Sequence, residues 1–257
     1  MRSHRIHAAF YDTMTAPLER QVLGPRRASL LARLTDQVLD VGAGTGANLA
    51  YLRQAARIVA VEPDAAMRRT LAQRAAEAQV AVDISDAAAE ALPFPDGQFD
   101  AVLFTLVLCT VSDPDRALAE AHRVLKPTGQ LVIIEHLRGT GRLARWQDEI
   151  TPLWRHLVPE CHPNRDTRAT VQQAGFRWTN TEEFQPMPTW IPVSPMLQGI
   201  AVKDLAVRPR RLSDLGLGGR AQPERASPGQ TSVAGTRHGD PPSCAASWGS
   251  STPRASS

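Results

Sequence analysis

The 257-residue chain contains only three cysteines, Cys109, Cys161 and Cys244, widely spaced and odd in number. That excludes a disulfide framework and any Cys-x-x-Cys metal or redox motif. No apolar run approaches the roughly 18 residues of a membrane helix, and the longest, at 101–109, is strand-like. Met1–Pro17 lacks the apolar stretch of a secretory signal, so a reduced, cytoplasmic setting is expected. A strong charge is missing as well. The net charge is +3, but from Arg208 onward seven arginines face three acids, which leaves residues 1–207 about one unit negative. The basic balance therefore belongs to the tail, and no nucleic-acid partner is expected.

What remains is an α/β pattern. With 42% hydrophobic residues the chain can bury one good core and carry a tail besides. It is organised around Val38-Leu39-Asp40-Val41-Gly42-Ala43-Gly44-Thr45-Gly46, an apolar run ending in three glycines at alternate positions. The pattern reads as a buried strand, a tight turn and a helix over 47–54 with an open N-terminus. Further strands are expected at 58–62, 80–84, 99–106 and 130–136, and helices at 17–34, 65–78, 115–125 and 142–156. Such alternation means a parallel sheet with helices on both faces. A helix at 166–174, ended by Gly175, leads to a strand at 176–183, and a last strand falls at 196–202. The expected architecture is a Rossmann-like seven-stranded sheet of order 3-2-1-4-5-7-6, with strand 7 antiparallel. Residues 1–34 are read as an N-terminal arm and helix (a lid), 35–207 as the catalytic domain, and 208–257 as a disordered basic tail.

The glycine turn by itself fits two ligands. Gly42-x-Gly44-x-x-Ala47, with Glu62 twenty residues on, satisfies the relaxed dinucleotide fingerprint and leaves a nicotinamide oxidoreductase open. Two details pull the other way: Asp40, two residues before the first glycine, is placed to accept from a ligand ammonium, and Gly46 adds a third glycine. Glu62, at the end of the second strand and followed by Pro63, is placed to accept both hydroxyls of a ribose. Thr105–Cys109 and His136 follow the fourth and fifth strands, where ligands of such sheets bind.

Asp40-x-Gly42-x-Gly44-x-Gly46 resembles the first motif of class I S-adenosylmethionine-dependent methyltransferases. Ser85-Asp86-Ala-Ala-Ala-Glu90-Ala-Leu92-Pro-Phe-Pro-Asp96-Gly-Gln-Phe-Asp100 resembles the stretch of that family that runs from the adenine edge into strand four. Ala88 stands in the slot where many members carry an aspartate. Thr105-Leu-Val-Leu-Cys109-Thr-Val, Arg123-Val-Leu-Lys-Pro127, Glu135-His136 and Gly199-Ile-Ala-Val-Lys203 resemble the methyltransferase-like seven family, the thiol S-methyltransferases. Phe10-Tyr11-Asp12 resembles the arm of ubiquinone/menaquinone C-methyltransferases.

The resemblance implies an enzyme with S-adenosyl-L-methionine as cofactor and a small-molecule acceptor as partner. Its binding residues would be Tyr11, Asp40, Gly42, Ala43, Gly44, Gly46, Glu62, Pro63, Asp86, Ala88, Ala89, Glu90, Thr105 and Leu106. The best acceptor is a thiol; a quinol-type or aromatic carbon or oxygen is the alternative, with His136 the candidate base. A non-catalytic module that binds the donor is the remoter reading. His156, Cys161 and His162 lie close in sequence without a chelating spacing, so no metal is expected. Trp146, Trp154 and Trp190 are candidates for the floor of an apolar pocket.

Overall fold

Side chains two apart on a strand share a face, and here that period divides one sheet into two buried surfaces. The computed structural model describes residues 16–158, 160–204 and 206; Tyr11, the rest of the arm and the basic tail lie outside the described residues. The strands are β1 (Gln37–Val41), β2 (Arg57–Val61), β3 (Ala81–Ser85), β4 (Phe99–Thr105), β5 (Leu125–His136), β6 (Phe176–Phe184) and β7 (Met196–Lys203). Their order is β3-β2-β1-β4-β5-β7-β6, with β7 antiparallel to both neighbours. This is the expected seven-stranded, Rossmann-like arrangement. Leu39, Val41, Val102, Phe104, Leu131 and Ile133 pack one face, while Val38, Ile58, Ala101, Leu103 and Val132 pack the other.

The helices are α1 (Gly24–Leu31), α2 (Ala65–Glu77), α3 (Pro114–Val124), α4 (Gly141–Leu157) and α5 (Thr167–Gln173). A π-helical turn, Glu19–Leu23, leads into α1. Short acids start three of the helices. Asp64 caps α2 through the Ala66 and Met67 amides, Asp113 caps α3 through Arg116, and Asp166 caps α5 through Ala169.

The expected helix over 47–54 is a correction. Only the 3-10 turn Leu49–Tyr51 forms, within a run of i→i+3 hydrogen bonds from Ala43 to Ala55. Two local facts account for this. Gly46 sits at φ +90°, and the buried Asn48 side chain is turned inward to polar partners instead of riding a helix face. Leu49, Leu52 and Ala55 still reach the core beside Leu31 and Leu34, so the apolar pattern is satisfied without a helix.

Candidate functional site: the carboxyl ends of β1, β2 and β4

β1 and β2 run in parallel register, with Val41 opposite Val61, and β1 meets β4 with Val41 opposite Phe104. The residues just beyond those positions therefore gather at one edge of the sheet. They include the glycine turn after β1, Glu62 after β2, and Thr105 and Leu106 at the end of β4. The Ala43 amide bonds to the Val61 carbonyl at 2.9 Å, which ties the turn to β2.

The three glycines serve different needs, although all have positive φ. A Cβ on Gly42 would fall 2.6 Å from a methyl of Val107, and one on Gly46 would fall 2.9 Å from Leu71 Cδ1. Those two positions are closed by packing. A Cβ on Gly44 would meet nothing within 4 Å. Space is therefore kept open above Gly44, where a ligand can lie against the backbone.

Glu62 is anchored from two sides: its Oε1 accepts from the Asp64 amide at 2.8 Å and its Oε2 from the Gly44 amide at 2.9 Å. Burial pushes its pKa up, against those two hydrogen bonds. Asp40 is fully buried on the Val38 face. Its Oδ1 accepts from Asn48 Nδ2 at 2.7 Å, and its Oδ2 is buried without a partner. Burial raises the Asp40 pKa to about 6, with the Asn48 bond and the Arg27 charge acting in the opposite direction. A buried carboxylate oxygen without a donor is costly. An ammonium group would satisfy it. The orphaned oxygen and the open face of Gly44 fit the amino-acid end of S-adenosylmethionine.

Two members of this network are not legible in the sequence. Asn48 also donates to Thr105 Oγ1 at 2.9 Å and accepts from the buried Arg27. Arg27 in turn donates to Glu19 at 2.9 Å, an ion pair that the π-helical turn helps to place. The helix α1 is thereby wired to β1 and β4 through one asparagine. An asparagine in the slot after the glycines is the only available signal, and its partners are 8, 21 and 57 residues away. Leu106 follows with φ 61°, an unusual conformation for a leucine at the strand end, fixed by its amide bond to the Ile134 carbonyl.

The expected adenine loop divides in two. Asp86 and Ala88 are exposed beyond β3, open to a ligand, and Ala89 is buried in the core. Glu90 is committed elsewhere, since its Oε1 accepts from the Ser112 and Asp113 amides and so ties the loop to the start of α3. The following residues are pinned by α3. Glu120 accepts from the Leu92 amide, and Arg123 donates to the Leu92 and Phe94 carbonyls. Pro63 is half-buried at the β2–α2 corner.

His136 ends β5 opposite Met196 of β7. Burial lowers its pKa to about 4, so the ring is neutral where acceptors react. Burial thus weakens the ring as the general base that the sequence suggests. The three tryptophans have different surroundings. Trp146 and Trp190 are both exposed, with Trp146 donating to the Trp190 carbonyl, and Trp154 packs against Cys109 and Cys161. A separate cleft of about 540 Å³ opens between α1 and the end of β6, lined by Val22, Arg26, Phe184 and Gln198 among others. Phe184 also packs against the small cluster of Leu23, Ile134 and Met196, beside Leu106.

With this geometry in view, residues 39–133 match the family described as methyltransferase domain, Methyltransf_11. The thiol S-methyltransferase TMT1B of Rattus norvegicus is 35% identical over 173 residues, 65% of this chain and 70% of that protein. The demethylmenaquinone methyltransferase of Thermobifida fusca is 37% identical over 149 residues, 55% of this chain and 61% of that protein. Among solved structures, geranyl diphosphate methyltransferase in complex with S-adenosylmethionine superposes with a TM-score of 0.60 at 17% identity. That match covers 79% of this chain and 91% of the other, and it is a likeness of fold. The fold and the strand-end site define a nucleoside-binding transferase. The chain belongs to the class I S-adenosylmethionine-dependent methyltransferases, and S-adenosylmethionine is its cofactor.

Proposed function

We propose that this methyltransferase acts on the sulfur of a small thiol. The observation that carries the reading is the 35% identity to a thiol S-methyltransferase across 70% of that protein's length. The chemistry of the site agrees with it. The bound donor supplies a methyl carbon already activated by positive sulfur, so transfer to a thiolate needs alignment and dryness more than acid–base help. A thiol, with an ordinary pKa near 8.5, ionises without a strong base, and His136 is too weak a base to provide one.

In this reading Asp40 receives the donor ammonium and Gly42, Ala43, Gly44 and Gly46 run along its amino-acid end. Glu62, held at the Pro63 corner, takes the ribose, and Asp86, Ala88 and Ala89 border the adenine. Thr105 and Leu106 stand at the sulfonium, where the half-buried Leu106 and the cluster beneath it present an apolar wall. Glu90 acts through the loop it fastens.

A second reading, methylation of a quinol ring carbon, is favoured by the 37% identity to a demethylmenaquinone methyltransferase. Transfer of labelled methyl to a series of thiols and to demethylmenaquinol separates the two. The thiol reading expects turnover on thiols, with a rate that rises with pH and tracks each acceptor's pKa. Turnover on the quinol alone would replace it with the second reading.

A further inference from the structure

A cluster outside the donor site goes unused by either reading. Cys109 in the turn after β4, His136 at the end of β5 and Cys161 beyond α4 each offer one ligand atom, and the three atoms lie within 4.8 Å of one another. Both cysteines are buried and unbridged. His136 Nδ1 is buried and has no hydrogen-bond partner. Around it the Trp154 indole stands within hydrogen-bond reach of Cys161, and the Glu135 carboxylate within reach of Cys109.

We propose that Cys109, His136 and Cys161 form a metal site that takes a thiophilic d10 ion, zinc(II) by preference. Two thiolates and an imidazole are the ligands that such ions select over magnesium or calcium. The ion would satisfy His136 Nδ1, which no group of the protein reaches. It would also draw together three segments that are far apart in the chain.

The scaffold is already fixed around the ligands. Thr167 Oγ1 donates to the His136 carbonyl at 2.9 Å, and the His162 amide donates to the Cys109 carbonyl at 2.8 Å. The Cys161 amide donates to the Val158 carbonyl at 3.2 Å, and Arg165 donates to the Leu108 and Val111 carbonyls. Ligands held in this way lose little freedom on binding. The His136 ring also lies by the Val193 backbone, the kind of outer partner that orients a ligating imidazole. A water completes a four-coordinate site.

A disulfide between Cys109 and Cys161 is the competing use of the two sulfurs. It would leave His136 Nδ1 unsatisfied and needs an oxidant to reach thiols shielded by Trp154, Val158 and Ile191, so the ion explains more of the structure. The expectation of no metal rests on ligand spacing along the chain, which tests chelation by one loop. It does not test ligands that meet only in the fold.

The test uses the full chain purified without a metal-affinity tag. Elemental analysis should give about one zinc per chain, lost to a strong chelator with a fall in Tm and restored by zinc but not by magnesium. Cobalt(II) added to the stripped protein should show sulfur-to-metal charge-transfer absorption, weakened in Cys109→Ser and Cys161→Ser and unchanged in Cys244→Ser. Where a serine variant fails to fold, the wild type decides, because zinc should protect two native thiols from a thiol reagent. Absence of zinc and cobalt binding would overturn the proposal. So would two thiols lost to a disulfide in metal-free protein, or unaltered binding in a folded Cys109→Ser/Cys161→Ser variant.

Discussion

The Gly44 amide donates to Glu62 Oε2 at 2.9 Å, so the acid at the end of β2 is held by the glycine turn at the end of β1. The two motifs of the donor site thus position each other. Replacing Glu62 by Gln keeps the shape of the side chain and removes the charge. It also gives up one of the two backbone hydrogen bonds, since the new amide nitrogen cannot accept from Gly44 or Asp64. Glu62→Gln should remain folded and weaken donor binding by about 1–3 kcal/mol, read by calorimetry. An unchanged affinity would remove Glu62 from the site.

Gly44 and Gly42 should respond to alanine to different degrees. A Cβ on Gly44 meets only open space, so Gly44→Ala should cost about 1–2 kcal/mol of backbone strain and lose much of its donor affinity. On Gly42 the new carbon runs into Val107, so Gly42→Ala should lower stability further, by about 1–3 kcal/mol more. Denaturation curves and donor titration of both variants would separate the two effects.

The buried Asp40 predicts a pH dependence whose sign is set by its raised pKa, about 6 against an ordinary 3.8. The native chain holds this proton more tightly than the unfolded chain does. The contribution to stability is therefore complete below pH 3.8 and is lost as pH rises through 6. Glu135, pushed up to about 7 by burial, adds to the same trend, so the difference between wild type and Asp40→Asn isolates Asp40. As pH rises from 3.8 through 6, the stability of Asp40→Asn relative to wild type should increase, because the variant has no carboxyl to ionise there. Donor affinity should follow the opposite trend in the wild type, falling below about pH 6, because an ammonium group prefers the ionised carboxylate.

Arg27 is buried between Glu19 and Asn48. Arg27→Met keeps most of the volume but leaves Asn48 Oδ1 without its donor and Glu19 without its ion pair. Glu19 is partly exposed, so a loss of about 1–3 kcal/mol in chemical denaturation is expected. Donor affinity should fall with it, since Asn48 orients Asp40.

The sheet order is legible because apolar runs such as Val38–Val41, Ile58–Val61 and Leu131–Ile134 end in a Gly or an acid and alternate with helix-compatible stretches. Asp40, Gly44 and Glu62 are legible because each sits one or two residues from such an end. The stretch 47–54 imitates a helix because the inward turn of Asn48 depends on Arg27 and Thr105, which periodicity cannot register. The Glu120 and Arg123 clasp on residues 92–96 is hidden for the same reason, as is the meeting of Cys109 with Cys161. These are pairings between segments, and a local pattern carries no trace of them.

The chain of contacts from Arg27 through Asn48 to Asp40 has a consequence for how ligands cooperate. Helix α1 reaches Asp40 of the first strand through Arg27 and Asn48, so in the proposed site its guanidinium would act on the field that a donor ammonium enters. By thermodynamic reciprocity, whatever the docking of α1 does for donor affinity, the donor does for the docking of α1. An acceptor whose site included α1 would then bind more tightly to the donor complex than to the free chain, and the donor would gain the same factor from the acceptor.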